Sequence, residues 1–156
     1  MIAAMAPEPR SGHARVADTL AKLAEVEADT WVATASTDGV QHLVPLSYAW
    51  DGRSVILAAP ASSVTVRNVR ASGRARIGIG PTRDVVLADV EVDRIVNAAD
   101  APADLAERYA VQSGWDPRRE PEPYVYVLLR LRRVQAWREA NELEGKLIMR
   151  DGAWLY

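Results

Sequence analysis

Ser62, Ser63, Thr65, Arg67, Asn68, Arg70 and Arg74 gather hydroxyls, an amide and three guanidiniums within thirteen residues. Guanidinium forks match phosphate oxygens in a bidentate way, and hydroxyls supply further donors. A helix N-terminus near Ser62 would add free N–H groups to such a cradle. The same segment also reads as a solvated amphipathic helix with ordinary surface arginines, and its composition names no cofactor.

Other chemistry is thinly represented. His42 falls on a strand-like run, where it also reads as a half-buried strand residue, and Asp38 and Asp51 belong to turns. No nucleophile–base pair stands out, so no catalytic side chain is identified. Glu142 and Glu144 are close in sequence, but EANELEG reads as a solvated connection. The chain has no cysteine, which excludes disulfides, thiolate chemistry and cysteine-based metal sites. Its two histidines, His13 and His42, are too far apart for a local metal motif, and no metal site is expected. EF-hand, HExxH, P-loop and GxGxxG patterns are absent. Trp50, Trp137 and Trp154 lie near strand ends or turns, where they could line a planar-ligand pocket, join a subunit contact or seal the core.

The elements that must position these residues are mostly strands. Val16, Leu20, Leu23 and Val26 recur at helical spacing and predict a helix over 13–28, started by Ser11 or Gly12. Strands are predicted at about 30–37 and 40–50, joined by Asp38-Gly39, and a third follows Asp51-Gly52 as RSVILAA. Pro45 has no N–H to give a ladder, so it predicts an edge, a bulge or a local break in the second strand. Residues 62–71 read as a short helix closed by Gly73, followed by a strand at 74–80 and a long one at 84–96. A second internal helix is expected over 102–112, with Gly114 at its end. A polar loop at 116–123, a long strand at 124–137 and a last turn at Asp151-Gly152 complete the chain. Six or seven strands without regular βα alternation predict a mostly-β, antiparallel, Greek-key-like split barrel that leaves few exposed edges. One N-terminal helix and short internal helices complete it.

The chain has 156 residues, enough for one domain with a real core. Residues 1–12, with Pro7, Pro9 and Gly12, read as a flexible tail, and 13–156 as a single domain. A formal net charge of -2 gives no basic stripe for nucleic acid. No window has the length and apolarity of a membrane span, and the N-terminus lacks the pattern of a signal peptide, so a cytoplasmic location is the expectation.

The runs TWVATASTDG, HLVPLSYAWDG, SVILAAP and SSVTVRNVRASGRARIGIG occur in an order and spacing that resembles the pyridoxamine-phosphate-oxidase-like superfamily of flavin-binding split barrels. The resemblance covers about residues 15–137 and is closest to small members that bind FMN or a deazaflavin. It implies a homodimer with the cofactor in a groove at the interface. It places the cofactor phosphate at Ser62, Ser63, Thr65, Arg67 and Asn68, and the flavin ring beside Val44, Pro45, Leu46 and Ser47. Thr65 stands where many members carry lysine, and a hydroxyl is a poorer partner for a dianion. FMN is the first expectation and a deazaflavin coenzyme the alternative. The acidic tail of the deazaflavin would need a basic path, for which Arg74, Arg76, Arg118, Arg119, Arg130, Arg132 and Arg133 are candidates. The implied activity is that of a flavin- or deazaflavin-dependent oxidoreductase acting on a small molecule. The alternatives are non-catalytic storage or sensing of flavin, deazaflavin or haem, and a dimeric partner-binding domain without a ligand.

Overall fold

The computed structural model describes residues 5–156. Its elements are α1 (Gly12–Leu23), β1 (Asp29–Ala35), β2 (Gln41–Trp50), β3 (Ser54–Pro60), α2 (Val64–Ser72), β4 (Arg74–Ile79) and β5 (Val85–Asn97). They are followed by α3 (Ala103–Ser113), β6 (Tyr124–Trp137), β7 (Leu147–Arg150) and β8 (Ala153–Trp154). The strands form one antiparallel sheet in the order β3-β2-β1-β4-β5-β6-β7-β8, and β3 also pairs with β6. Six strands therefore close into a barrel, and β7 with β8 adds a short hairpin beside β6. Placing β4 next to β1 after the β1-β2-β3 meander gives the Greek-key order. The expected fold class is the observed one.

Two turns set the first meander. Gly39 and Gly52 both have positive φ, which glycine adopts without a Cβ penalty. At the first turn the Ser36 N–H donates to the Val40 carbonyl at 3.0 Å. At the second, the Asp51 carboxylate accepts from the N–H groups of Arg53 and Ser54. Both Asp-Gly pairs join paired antiparallel strands, as expected.

The barrel interior holds Val32, Tyr48, Val55, Leu57, Ile77, Val90, Val127 and Leu129 among other buried residues. A second apolar layer lies outside the barrel. There Leu105, Ala106 and Tyr109 of α3 pack against Ala49, Ile56, Ala58, Tyr126 and Leu128. This two-sided cover explains why β3 is buried at six consecutive positions: alternate side chains enter the interior and the α3 layer. The outer surface around β1 and the first half of β2 stays bare, leaving Trp31, Val40 and Leu43 exposed.

The N-terminal helix departs from its expected extent and face. It ends at Leu23, not at 28. The Gln112 side chain takes over beyond that point, donating to the carbonyls of Leu23 and Glu25 at 2.8 and 3.1 Å. Val26 is exposed in the following turn. The buried face is Arg15, Thr19 and Leu23, and Leu20 faces outward. Arg15 is only 4% exposed because its guanidinium donates to the carbonyls of Arg10, Glu142 and Glu144.

A charged network ties the N-terminal segment to the end of the chain. Glu142 is 3% exposed and accepts from the Arg10 backbone N–H, its Nε and its Nη2, and from the Arg138 N–H. Asp18 and Asp84 lie around the same two arginines. The solvated connection expected at 139–145 is thus wrong at Glu142, whose carboxylate is an internal acceptor. Of the tail expected over 1–12, residues 1–4 lie outside the described residues, and at its inner end Arg10 is held by this network. No helix among the described residues is long and apolar enough to cross a membrane.

Candidate functional site

The Ser62–Arg74 segment builds a helix start, as its hydroxyls require. Ser63 is the N-cap of α2, and its Oγ accepts from the Val66 N–H at 3.2 Å. Its carbonyl accepts from the Arg67 N–H. The N–H groups of Val64 and Thr65 then have no protein partner among the described residues, and the first turn carries no acidic side chain. Gly73 closes the helix in the left-handed conformation, as expected.

The structure divides the expected phosphate residues into two kinds. Arg67 is exposed and makes no ion pair or side-chain hydrogen bond among the described residues. Asn68 is buried, and its Nδ2 donates to the Thr34 hydroxyl at 3.0 Å. That bond anchors α2 to β1. Thr65 is 4% exposed and is shut into the same packing. Ser62 is exposed, and the hydroxyl of the half-buried Ser63 is occupied by its cap.

Arg67 and Asn68 line a cleft of about 400 Å³ together with Val64 and residues at the tip of the β1–β2 hairpin, including Asp38 and His42. Asp38 has a pKa held below the usual carboxylate range. The Ser36 hydroxyl, which donates to it at 2.6 Å, is the main cause, and the charge of Arg67 contributes. A larger groove of about 870 Å³ adjoins this cleft through Ser36, Gln41 and His42. Ala33, Ala35, Ala75 and Leu43 give it apolar wall, and Arg74, Arg76 and Arg132 give it charge. Asp89 pairs with Arg76 at 2.6 Å and Glu91 with Arg132 at 3.5 Å.

Val44, Pro45, Leu46 and Ser47 line neither space. They lie farther along β2, on a part of the strand with an unusual edge. β2 meets β3 only over Tyr48–Trp50, whereas its pairing with β1 runs from Gln41 to Ser47 without a register shift. Among the described residues, the other side of β2 from Gln41 to Ser47 has no strand partner. Pro45 therefore sits on an open edge, one of the settings its missing N–H predicts.

The expected basic path is interrupted. Arg74, Arg76 and Arg132 share the larger groove, but Arg130 pairs with Asp93, and Arg118 is tied to Asp116 and Glu107 beside α3. Arg119 lies on that same turn, and Arg133 is exposed outside both spaces. Of the tryptophans singled out by sequence, Trp50 and Trp154 pack on the interior core, and Trp137 lies under the Lys146 ammonium at 5.1 Å. Sequence reasoning passed over Trp31, which is 54% exposed on the outer face of β1. Its signal was the alternation of TWVATA: with Val32 inside, Trp31 must point out.

No known family profile matches the chain, and no curated protein matches it. Solved structures do. An F420 reductase aligns with a TM-score of 0.56 at 19% identity, over 72% of this chain and 92% of that one. A haem-binding protein from Mycobacterium smegmatis aligns with a TM-score of 0.59 at 20% identity, over 90% of this chain and 58% of that one. A conserved hypothetical protein from Mycobacterium tuberculosis aligns with a TM-score of 0.61 at 18% identity, over 86% of this chain and 92% of that one. At these identities the likeness is one of fold. The chain has a mostly-β split-barrel fold, which it shares with these structures.

Proposed function

We propose that this split barrel binds a flavin or deazaflavin through its phosphate and ring, and works as an oxidoreductase on a small molecule. FMN is the first choice and the deazaflavin coenzyme the alternative. One observation carries the reading: Arg67 and the free N–H groups at the start of α2 belong to the element that borders a cleft beside the open edge of β2. The donor set suits a phosphate monoester, because a guanidinium and helix N-terminal amides both favour an anion.

In this reading Arg67 and the N–H groups of Val64 and Thr65 hold the phosphate. Ser62 and Ser63 shape the turn, and Asn68 fixes α2 to β1 through Thr34. Val44, Pro45, Leu46 and Ser47 flank the ring along the open edge. The bound cofactor supplies the hydride chemistry, and the chain supplies orientation and exclusion of water. The absence of an evident acid–base pair agrees with that division of labour. The fold likeness to a protein named as an F420 reductase supports the same class of activity.

The test is a titration of the purified chain with FMN and with the deazaflavin coenzyme, followed by absorption and fluorescence. Saturable binding of either, with a shifted flavin or deazaflavin band, is the expected result. Tighter deazaflavin binding would reverse the order of the two cofactors, and binding of neither would sink the reading. A second reading, haem binding without turnover, draws on the fold likeness to the M. smegmatis haem-binding protein over 90% of this chain. A Soret shift on adding haemin, with no response to either flavin, would favour it.

The reading includes a homodimer. Trp31, Val40 and Leu43 are large apolar side chains exposed on neighbouring strands and their hairpin, and a second copy is the partner proposed for them. Light scattering at micromolar protein is expected to give twice the chain mass of 17.1 kDa. A value at the chain mass itself would refute the dimer and remove a groove shared between subunits.

A further inference from the structure

We infer that His42 is a second donor to the ligand phosphate beside Arg67, and that Asp38 opposes both. The inference rests on the phosphate reading of the α2 cleft. Thr65 leaves α2 without the lysine that the resemblance would place there, and its side chain is buried away from the cleft mouth. From α2 the cleft receives only one cation, Arg67.

β2 provides another donor. His42 stands opposite Thr34 in the β1–β2 ladder, and the Thr34 hydroxyl is the acceptor for Asn68 of α2. This bond sets the strand position of His42 and the helix position of Arg67 on one cleft. Neither side chain has a hydrogen bond or ion pair among the described residues. An imidazole donates one N–H when neutral and two when protonated, so it can serve a phosphate in either state. The charged groups around it are Asp38 and Arg67 in the cleft, and Arg74, Arg76, Arg132, Asp89 and Glu91 in the adjoining groove. Arg76 and Arg132 are already paired with Asp89 and Glu91. Asp38, ionised and hydrogen-bonded by Ser36, feels the charge of Arg67 and opposes an anion in the cleft, so a phosphate gains from a further donor.

Parallel titrations with FMN and riboflavin, which lacks the phosphate, separate this role from packing. His42→Ala is expected to raise the FMN dissociation constant about five- to ten-fold and leave that of riboflavin unchanged. His42→Lys is expected to recover FMN binding, and Asp38→Asn to tighten it about three-fold without affecting riboflavin. Equal losses for both ligands in His42→Ala, or no loss for either, would overturn the inference while leaving the cofactor reading intact. Should the wild-type chain bind neither flavin, the cofactor reading fails, and the cleft is tested alone. Inorganic phosphate, followed by phosphorus NMR line broadening, then supports the inference if its binding is lost in His42→Ala. Absence of phosphate binding, or binding unchanged by that substitution, overturns it.

Discussion

Glu142→Ala is expected to lower stability by about 3–5 kcal/mol, the usual cost of breaking a buried ion pair from one side. For a chain of this length that is a fall of roughly 10 °C in the thermal midpoint. The carboxylate accepts four hydrogen bonds, three of them from Arg10, with the closest at 2.7 Å. Its removal leaves Arg10 with Asp18 and Asp84, and leaves the Arg138 N–H without its acceptor. Glu142→Gln keeps the shape and loses the charge, and is expected to fall between wild type and alanine. The network also sets an acid limit. The hydrogen bond from Arg10 is the main cause that holds the Glu142 pKa down to about 2. A depressed carboxylate pKa adds stability that is complete above the unfolded value, near 4.5, and disappears as pH falls toward 2. Unfolding curves between those limits are expected to be steeper in pH for the wild type than for Glu142→Gln. A midpoint that hardly moves in Glu142→Ala would make this an ordinary surface pair.

The second large effect is on binding. Arg67→Ala is expected to weaken FMN binding by roughly ten- to a hundred-fold, as loss of a charge-assisted pair to phosphate does. Its melting temperature is expected to stay near the wild-type value, because the side chain is exposed and has no protein partner among the described residues. Arg70→Ala is the control. Arg70 is exposed in the last turn of the same helix but does not line the cleft, so its loss is expected to change affinity little. Equal, small effects of the two substitutions would end the phosphate assignment at Arg67. Asn68 belongs to the other category. It is buried against Thr34, so Asn68→Ala is expected to cost about 1–3 kcal/mol of stability through an unpaired hydroxyl.

The parts of the fold that could be read from sequence are those with local causes. Glycine at positive φ marked both early hairpins, Gly73 closed α2, whose start, expected near Ser62, lies at the Ser63 cap, and the open edge at Pro45 is one of the three settings its missing N–H allowed. The misread parts depend on partners distant in the chain. The stripe Val16, Leu20, Leu23 and Val26 looked like the buried face of α1, yet Arg15 is inside because carbonyls from 142 and 144 receive it. Burying an arginine is tolerable only with such acceptors, and no periodicity reveals them. Glu142 was hidden for the same reason, since its partner Arg10 is at the other end of the chain. The candidate site divided likewise. Arg67 and Asn68 were legible from residue type and position, but their opposite roles follow from exposure. His42 entered only once the hairpin tip was seen to face α2.

The seam between β3 and β6 has a consequence for the order of folding. It pairs Ser54 with Arg130 at one end and Pro60 with Tyr124 at the other, so the barrel closes between segments separated by nearly half the chain. Loop-closure entropy must be overcome before those contacts return any stability, which slows folds dominated by non-local pairing. During synthesis the β1-β2-β3 meander emerges well before its closing strand. Until β6 arrives, one edge of β3 has no strand partner and the apolar layers on its two faces are incomplete, so its apolar run is open to neighbouring chains. The step that completes the core also withdraws this run from aggregation, so the nascent chain is most vulnerable in the interval before residues 124–130 leave the ribosome.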